Sequence, residues 1–261
     1  MSHRLDVEQP ATVDDVFALV TNRYPDAQRD GGSIRVTPRT TFAAGTRQGV
    51  WMINAPVERE QGRAPQIDDP YGVSRAFPDG LPTGEELDMV HLALSIARRL
   101  GGEVETDTGV VLAPHQFIST DLEVVSPYAL TQAECLQVVR ELIREARPEE
   151  AANTGNEFAP YHITAEIFPN AGLDVTFSRL VHPVEAINHV DWVQRGAFSY
   201  TVQLVLHDPS QSPGEKPNDA AMRLLREAFL GCAAVAKRIH LAVGGFVLDS
   251  EGFLVSPEDL V

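Results

Sequence analysis

Lysine, tryptophan and cysteine are all scarce in this chain of 261 residues, and it has no long uninterrupted apolar run. Lys216 and Lys237 stand against 19 arginines, and 21 basic residues face 37 acidic ones, for a net charge of −16. The shortage of positive charge is shared: residues 1–120 hold 11 basic and 17 acidic residues, and residues 121–261 hold 10 and 20. Nucleic-acid backbones and anionic membranes are bound through clustered Lys and Arg, so neither is an expected partner. The most apolar stretch, residues 228–243, is broken by Lys237, Arg238 and His240, short of the ~20 residues of a membrane span. The opening MSHRLDVEQP has no apolar run of signal-peptide type. Cys135 and Cys232 lie between apolar neighbours in helical patterns, which predicts buried thiols in a cytoplasmic protein and no disulfide.

What the chain does have is a repeated unit. Residues 101–114 align without a gap to residues 244–257, with Gly101, Gly102, Val104, Gly109 and Pro114 matched by Gly244, Gly245, Val247, Gly252 and Pro257. Each copy follows a long helical pattern, so the unit reads helix, Gly-Gly stop, strand, glycine turn, strand. The openings of the two halves also match when Leu5 is set against Leu122. Each gives a short strand and a proline-led entry to a helix, with Thr12 and Thr131 near the N-cap.

The rest fills in around this frame. Apolar spacing predicts helices over 13–23, 85–100, 132–146 and 218–243. Alternation predicts strands at 33–37, 50–53, 161–168, 173–177 and 198–206. Each half then reads strand, helix, two or three strands, helix, strand, the split β-α-β order of ferredoxin-like units. The expected fold is α+β: two tandem ferredoxin-like repeats, residues 1–120 and 121–261, with antiparallel sheets and helices on one face. Residues 55–84 and 208–217 are rich in Pro and Gly and read as loops, the first long enough to suggest a functional segment.

Candidate chemistry gathers in the second half. His162, His182, His189 and His207 lie there with several carboxylates, and His162 and Glu166 stand four apart on a strand, facing the same way. A metal site of His162, Glu166, His182 and His189 is one reading; the other is a set of surface histidines, since the spacing fits no ligand signature. Asp249 reads as a turn cap. No nucleophile elbow or phosphate-binding glycine frame is present, so no catalytic residue and no cofactor is expected. Trp192, in a polar connection, and Tyr71 and Phe77, in the long loop, are candidates for contact with a protein partner.

Residues 241–257, from the end of a long helix through Gly244-Gly245-Phe246-Val247-Leu248-Asp249 to Ser256-Pro257, resemble the C-terminal FtsZ-binding domain of the ZipA cell-division proteins. The resemblance implies a sheet-and-helix domain that binds a protein. It covers 17 of 261 residues, and the ZipA membrane anchor and Pro/Gln-rich linker have no counterpart here. The expected function is therefore a non-catalytic, cytoplasmic protein-binding or adaptor role, with ZipA-like cell division as its suggested setting. The alternative is a metal or small-molecule site at the junction of the repeats. A homodimer through exposed sheet edges is a third reading.

Overall fold

The computed structural model describes residues 2–8, 11–62, 69–149, 158–168, 171–206 and 216–260. The chain divides into two compact units, one of residues 1–118 with 213–217 and one of residues 119–212 with 218–261. The first opens with β1 (Ser2–Val7) and α1 (Val13–Arg23). A meander of four strands follows: β2 (Gln28–Asp30), β3 (Ser33–Arg35), β4 (Thr41–Ala44) and β5 (Val50–Asn54). Next come β6 (Arg59–Glu60), a single-turn helix α2 (Val73–Ala76) and β7 (Leu81–Pro82), with β6 and β7 paired as a separate ribbon. The unit closes on α3 (Gly84–Leu100), β8 (Gly102–Glu105) and β9 (Val111–Leu112). Its sheet runs β2-β3-β4-β5-β1-β8-β9, antiparallel throughout.

The second unit contains β10 (Leu122–Ser126), α4 (Gln132–Arg140), β11 (Arg147–Pro148), β12 (Tyr161–Phe168) and β13 (Ala171–Arg179). Two short helices, α5 (Glu185–Asn188) and α6 (Asp191–Arg195), precede β14 (Phe198–Leu206), α7 (Asp219–Val243), β15 (Phe246–Asp249) and β16 (Leu254–Val255). Its sheet runs β11-β12-β13-β14-β10-β15-β16. Position for position this is the strand order of the first unit, so the first strand of each unit lies between the end of the meander and the hairpin that follows the long helix.

Register makes the equivalence residue-specific. Leu5 pairs with Val104 across β1 and β8, and Val124 pairs with Val247 across β10 and β15. Leu5 therefore corresponds to Val124 and not to Leu122, a two-residue correction that keeps the same face of the strand. Seven residues further on in each unit, Thr12 and Thr131 cap α1 and α4 with a reciprocal capping box to Asp15 and Glu134. The hairpins match as well: Gly109 N–H bonds Thr106 C=O and Gly252 N–H bonds Asp249 C=O, each at 2.9 Å. The second glycine of each Gly-Gly pair is fixed by close approach. A Cβ on Gly102 would lie 2.2 Å from the Asp6 carbonyl oxygen, and one on Gly245 would lie 2.0 Å from that of Val125.

Several expectations need correction. The meander has four strands in each unit where two or three were expected, because the short outer strands β2 and β11 carry no apolar alternation and β4, reading Thr-Phe-Ala-Ala, buries only Phe42. The helix expected over 132–146 stops at Arg140. Pro148 favours an extended residue before it, and Arg147 is drawn into β11 opposite Thr164; Leu142, expected in the core, is 46% exposed. Helices are not confined to one face of the second sheet. Val124 and Val247 point into a core with Cys135, Val139 and α7, whereas Val125 and Leu248 point the other way, under Ile187 of α5 and Val193 of α6. Residues 55–62 and 69–84 form ribbon, helix and anchored turns instead of an open loop. Residues 63–68, His207 and most of 208–217 lie outside the described residues.

Candidate functional site

The four expected metal residues do not converge. His162 and Glu166 lie on the exposed face of β12, as their spacing implied. His182 and His189 are exposed in the connection from β13 to β14, whose helices pack over β10 and β15. Among the described residues, no group of three His, Cys, Asp or Glu side chains that includes any of these four comes within reach of a single ion. The expected aromatic contacts are also engaged internally. Trp192 is half-buried and stacks on Phe246 at 5.4 Å, and the half-buried Tyr71 lies beside the His91 ring at 6.2 Å. Phe77 is a correction: it is buried, edge-on to His3 at 5.9 Å and beneath the Arg59 guanidinium at 4.9 Å.

That contact leads to a polar cluster that sequence spacing did not disclose. His3 in β1 and Glu86 in the first turn of α3 are 3% and 1% exposed, and the Asp107 side chain is as deeply buried. Among the described residues, this trio is the one group whose His, Asp and Glu atoms lie within reach of a single metal ion. Its chemistry argues against an ion. Arg59 from β6 already bridges both carboxylates, with Nη2 2.7 Å from Glu86 Oε1 and 2.6 Å from each oxygen of Asp107. The Asp107 backbone N–H donates to His3 Nδ1 at 3.1 Å. A neutral ring accepting at Nδ1 carries its proton on Nε2 and has no lone pair left to ligate. Burial holds His3 below the usual histidine range, opposed by the charges of Asp107 and Glu86.

The cluster anchors the segment before α3. Glu86 Oε2 accepts the Glu58 backbone N–H at 2.7 Å, and the Glu58 carboxylate accepts the Glu85 N–H at 2.8 Å. Glu58 thus caps α3, whose own N-cap Thr83 makes no side-chain cap bond. In the second unit the corresponding positions hold Leu122, Phe229 and Ser250, by the register above and the glycine alignment. The fold tolerates uncharged side chains there.

The second unit offers an open cavity of about 580 Å³ on the side of the sheet away from α4 and α7. Its floor is built by β12 and β13, and Glu145, Arg147 and Glu149 form the wall on the β11 side. Two expected residues, His162 and Glu166, line it together with Asp174. Across the strands, Thr164, Asp174 and Gln203 form one row, and Glu166, Gly172 and Val205 form the next. Gly172 brings no side chain to the lining. Asp174 Oδ2 accepts from Thr176 Oγ1 at 3.0 Å and lies 3.6 Å from His162 Nδ1.

Compared with known proteins, the chain matches no family, no curated protein and no solved structure. No helix among the described residues is long and apolar enough to cross a membrane.

Proposed function

We propose that this protein is a non-catalytic binding protein, an adaptor, that presents the open face of its second sheet to a protein partner. One observation carries the reading: α4 and α7 fill one face of that sheet and α5 with α6 cover β10 and β15 on the other, while among the described residues no helix packs over that face of β12 to β14, where a cavity is formed. The groups best suited to chemistry are held out of use. Burial pushes the Cys135 thiol up to about 11 and the Cys232 thiol up to about 12, and His3 is neutral and closed in by Arg59 and Phe77.

The ordering of each unit supports a duplicated, ferredoxin-like split β-α-β module with its meander lengthened to four strands. The likeness of residues 241–257 to the ZipA domain agrees with protein binding by such a module, but it does not extend to β12 and β13, so FtsZ is not the partner we put forward. Two buried, unpaired thiols fit a cytoplasmic setting.

The test is position-dependent photocrosslinking of the full chain in an extract of its source cells. A crosslinker at Thr164 should trap a defined protein that one at Arg35, exposed in the first unit, does not. Adducts that form equally from both positions, or only from Arg35, would contradict the reading.

A further inference from the structure

The polar cluster of the first unit sits at positions where the second unit of the same strand order carries no charge. Leu122, Phe229 and Ser250 stand there in place of His3, Glu86 and Asp107, and buried ion pairs are weak support for stability. A second difference coincides with the first. Residues 55–83 separate β5 from α3, whereas residues 207–218 separate β14 from α7. The longer segment carries the β6–β7 ribbon and α2, and the cluster holds both. Arg59 ties the ribbon to Glu86 and Asp107. Next to Asp107, Thr108 Oγ1 donates to the Ala76 carbonyl of α2 at 2.6 Å.

His3 supports this arrangement in one protonation state. Its Nδ1 accepts the Asp107 N–H at 3.1 Å, which a neutral ring can do and an imidazolium, a donor at both nitrogens, cannot. A proton there sets two donors face to face and pushes the β8–β9 turn away. It also makes the ring a rival of Arg59. Nε2 lies 3.6 Å from Glu86 Oε1 and Nδ1 lies 3.9 Å from Asp107 Oδ1, the oxygens that Arg59 Nη2 bonds. The Arg59 side chain is 22% exposed against 4% for His3, so the guanidinium is the cation with a path to water. Glu86 on α3 and Asp107 on the turn favour the proton, Arg59 on β6 and the amino terminus oppose it, and β5 sets uncharged Ile53 alongside. Burial outweighs the two carboxylates and keeps the enclosed ring neutral. We propose that His3 is an acid-sensitive latch: its protonation frees Arg59 and lets the ribbon and α2 come away from β1, α3 and the β8–β9 turn while the sheet stays folded.

Once opened to water, the ring titrates near the ordinary ~6.5. Below that pH the open form binds a proton that the closed form refuses. The opening constant therefore rises by up to about tenfold per pH unit until the lowered value of the closed form is reached.

NMR-detected hydrogen exchange of the full chain reads the latch at the amides of Glu58 and Asp107, whose acceptors, Glu86 Oε2 and His3 Nδ1, lie across it. Rates are taken at pH 7.5, 6.5 and 5.5 as protection factors, which removes the intrinsic pH dependence of exchange. Protection at both amides should fall severalfold, and by tenfold at most, from pH 6.5 to pH 5.5. Mild urea should leave it unchanged, because local opening exposes little surface, while the amides of β4 and β5 exchange faster in urea through unfolding of the unit. His3→Asn, or His3→Gln as a second variant, does not titrate and should hold Glu58 protection level across the range. Level protection in the parent, or the same fall in a folded His3 variant, would overturn the latch. So would Glu58 and Asp107 amides that share the protection and urea dependence of β4 and β5, since the segment would then open only with the whole unit. If neither variant folds, that contrast within the parent decides.

Discussion

His3 and Leu122 occupy the same register position in two sheets of the same strand order. Each stands two residues before the strand residue that pairs with Val104 or Val247. One position is filled by a neutral, hydrogen-bonded imidazole beside two carboxylates and the other by an aliphatic side chain. Two solutions to one structural problem within a single chain allow the polar one to be tested against the apolar one.

Arg59 is the cation that makes the polar solution tenable. Arg59→Met strands Glu86 and Asp107 and should destabilise the protein by about 3–5 kcal/mol, the usual cost of breaking a buried ion pair. Adding Glu86→Gln and Asp107→Asn to that variant should recover more than half of the loss. Denaturant titration measures both, and a neutral Arg59→Met would show that Arg59 does not hold the cluster.

The lowered affinity of His3 for a proton sets a pH dependence. As pH falls through ~6.5, a histidine in the unfolded chain takes up a proton before the buried one does, so the unfolded state gains. This contribution is complete above ~6.5 and is lost as pH falls toward the lowered folded value. His3→Asn keeps an acceptor for the Asp107 N–H without titrating. The parent should therefore lose more stability than His3→Asn between pH 7.5 and pH 5.5. Equal losses would place the titration elsewhere.

Glycine substitutions separate close approach from helix propensity. Gly102→Ala and Gly245→Ala place a methyl about 2 Å from a backbone oxygen and should each cost several kcal/mol, in the range of severe overpacking and strain. Gly231 lies within α7 with open space around it, so Gly231→Ala should stabilise by about 0.5–1 kcal/mol. Melting temperatures of the three variants check the ordering.

The thiols offer a fourth check. With Cys135 and Cys232 buried and their pKa values raised, native protein should resist an aqueous alkylating reagent at pH 8 and take up two equivalents only after unfolding. Fast labelling of either in the native state would contradict the packing of the second core.

The legible parts of this sequence were those with strong local signals. The α1 bounds, β12, β14, the Asn218 cap of α7 and the hairpin glycines follow from periodicity, capping chemistry and the repeat. The Asp249 turn cap also follows, with Oδ1 accepting from the Glu251 and Phe253 N–H groups. The two-residue ribbon strands and the one-turn helices are too short to carry a period. The polar cluster draws on residues 3, 59, 86 and 107, which no spacing rule connects. One clue was present: Glu86 falls on the stripe with Val90, Ala93 and Ala97, where a charge must be paired if the helix packs. The cavity depended on cross-strand register, which sequence alternation leaves open by steps of two.

The most direct test of the account is hydrogen exchange of the full chain with and without the partner protein that a crosslinker at Thr164 traps. Binding at the open face should slow exchange in residues 161–168, 171–179 and 198–206 and leave residues 2–62 unchanged. Protection confined to the first unit, around β1, β6 and α2, would place the partner on the polar cluster and contradict the proposed surface.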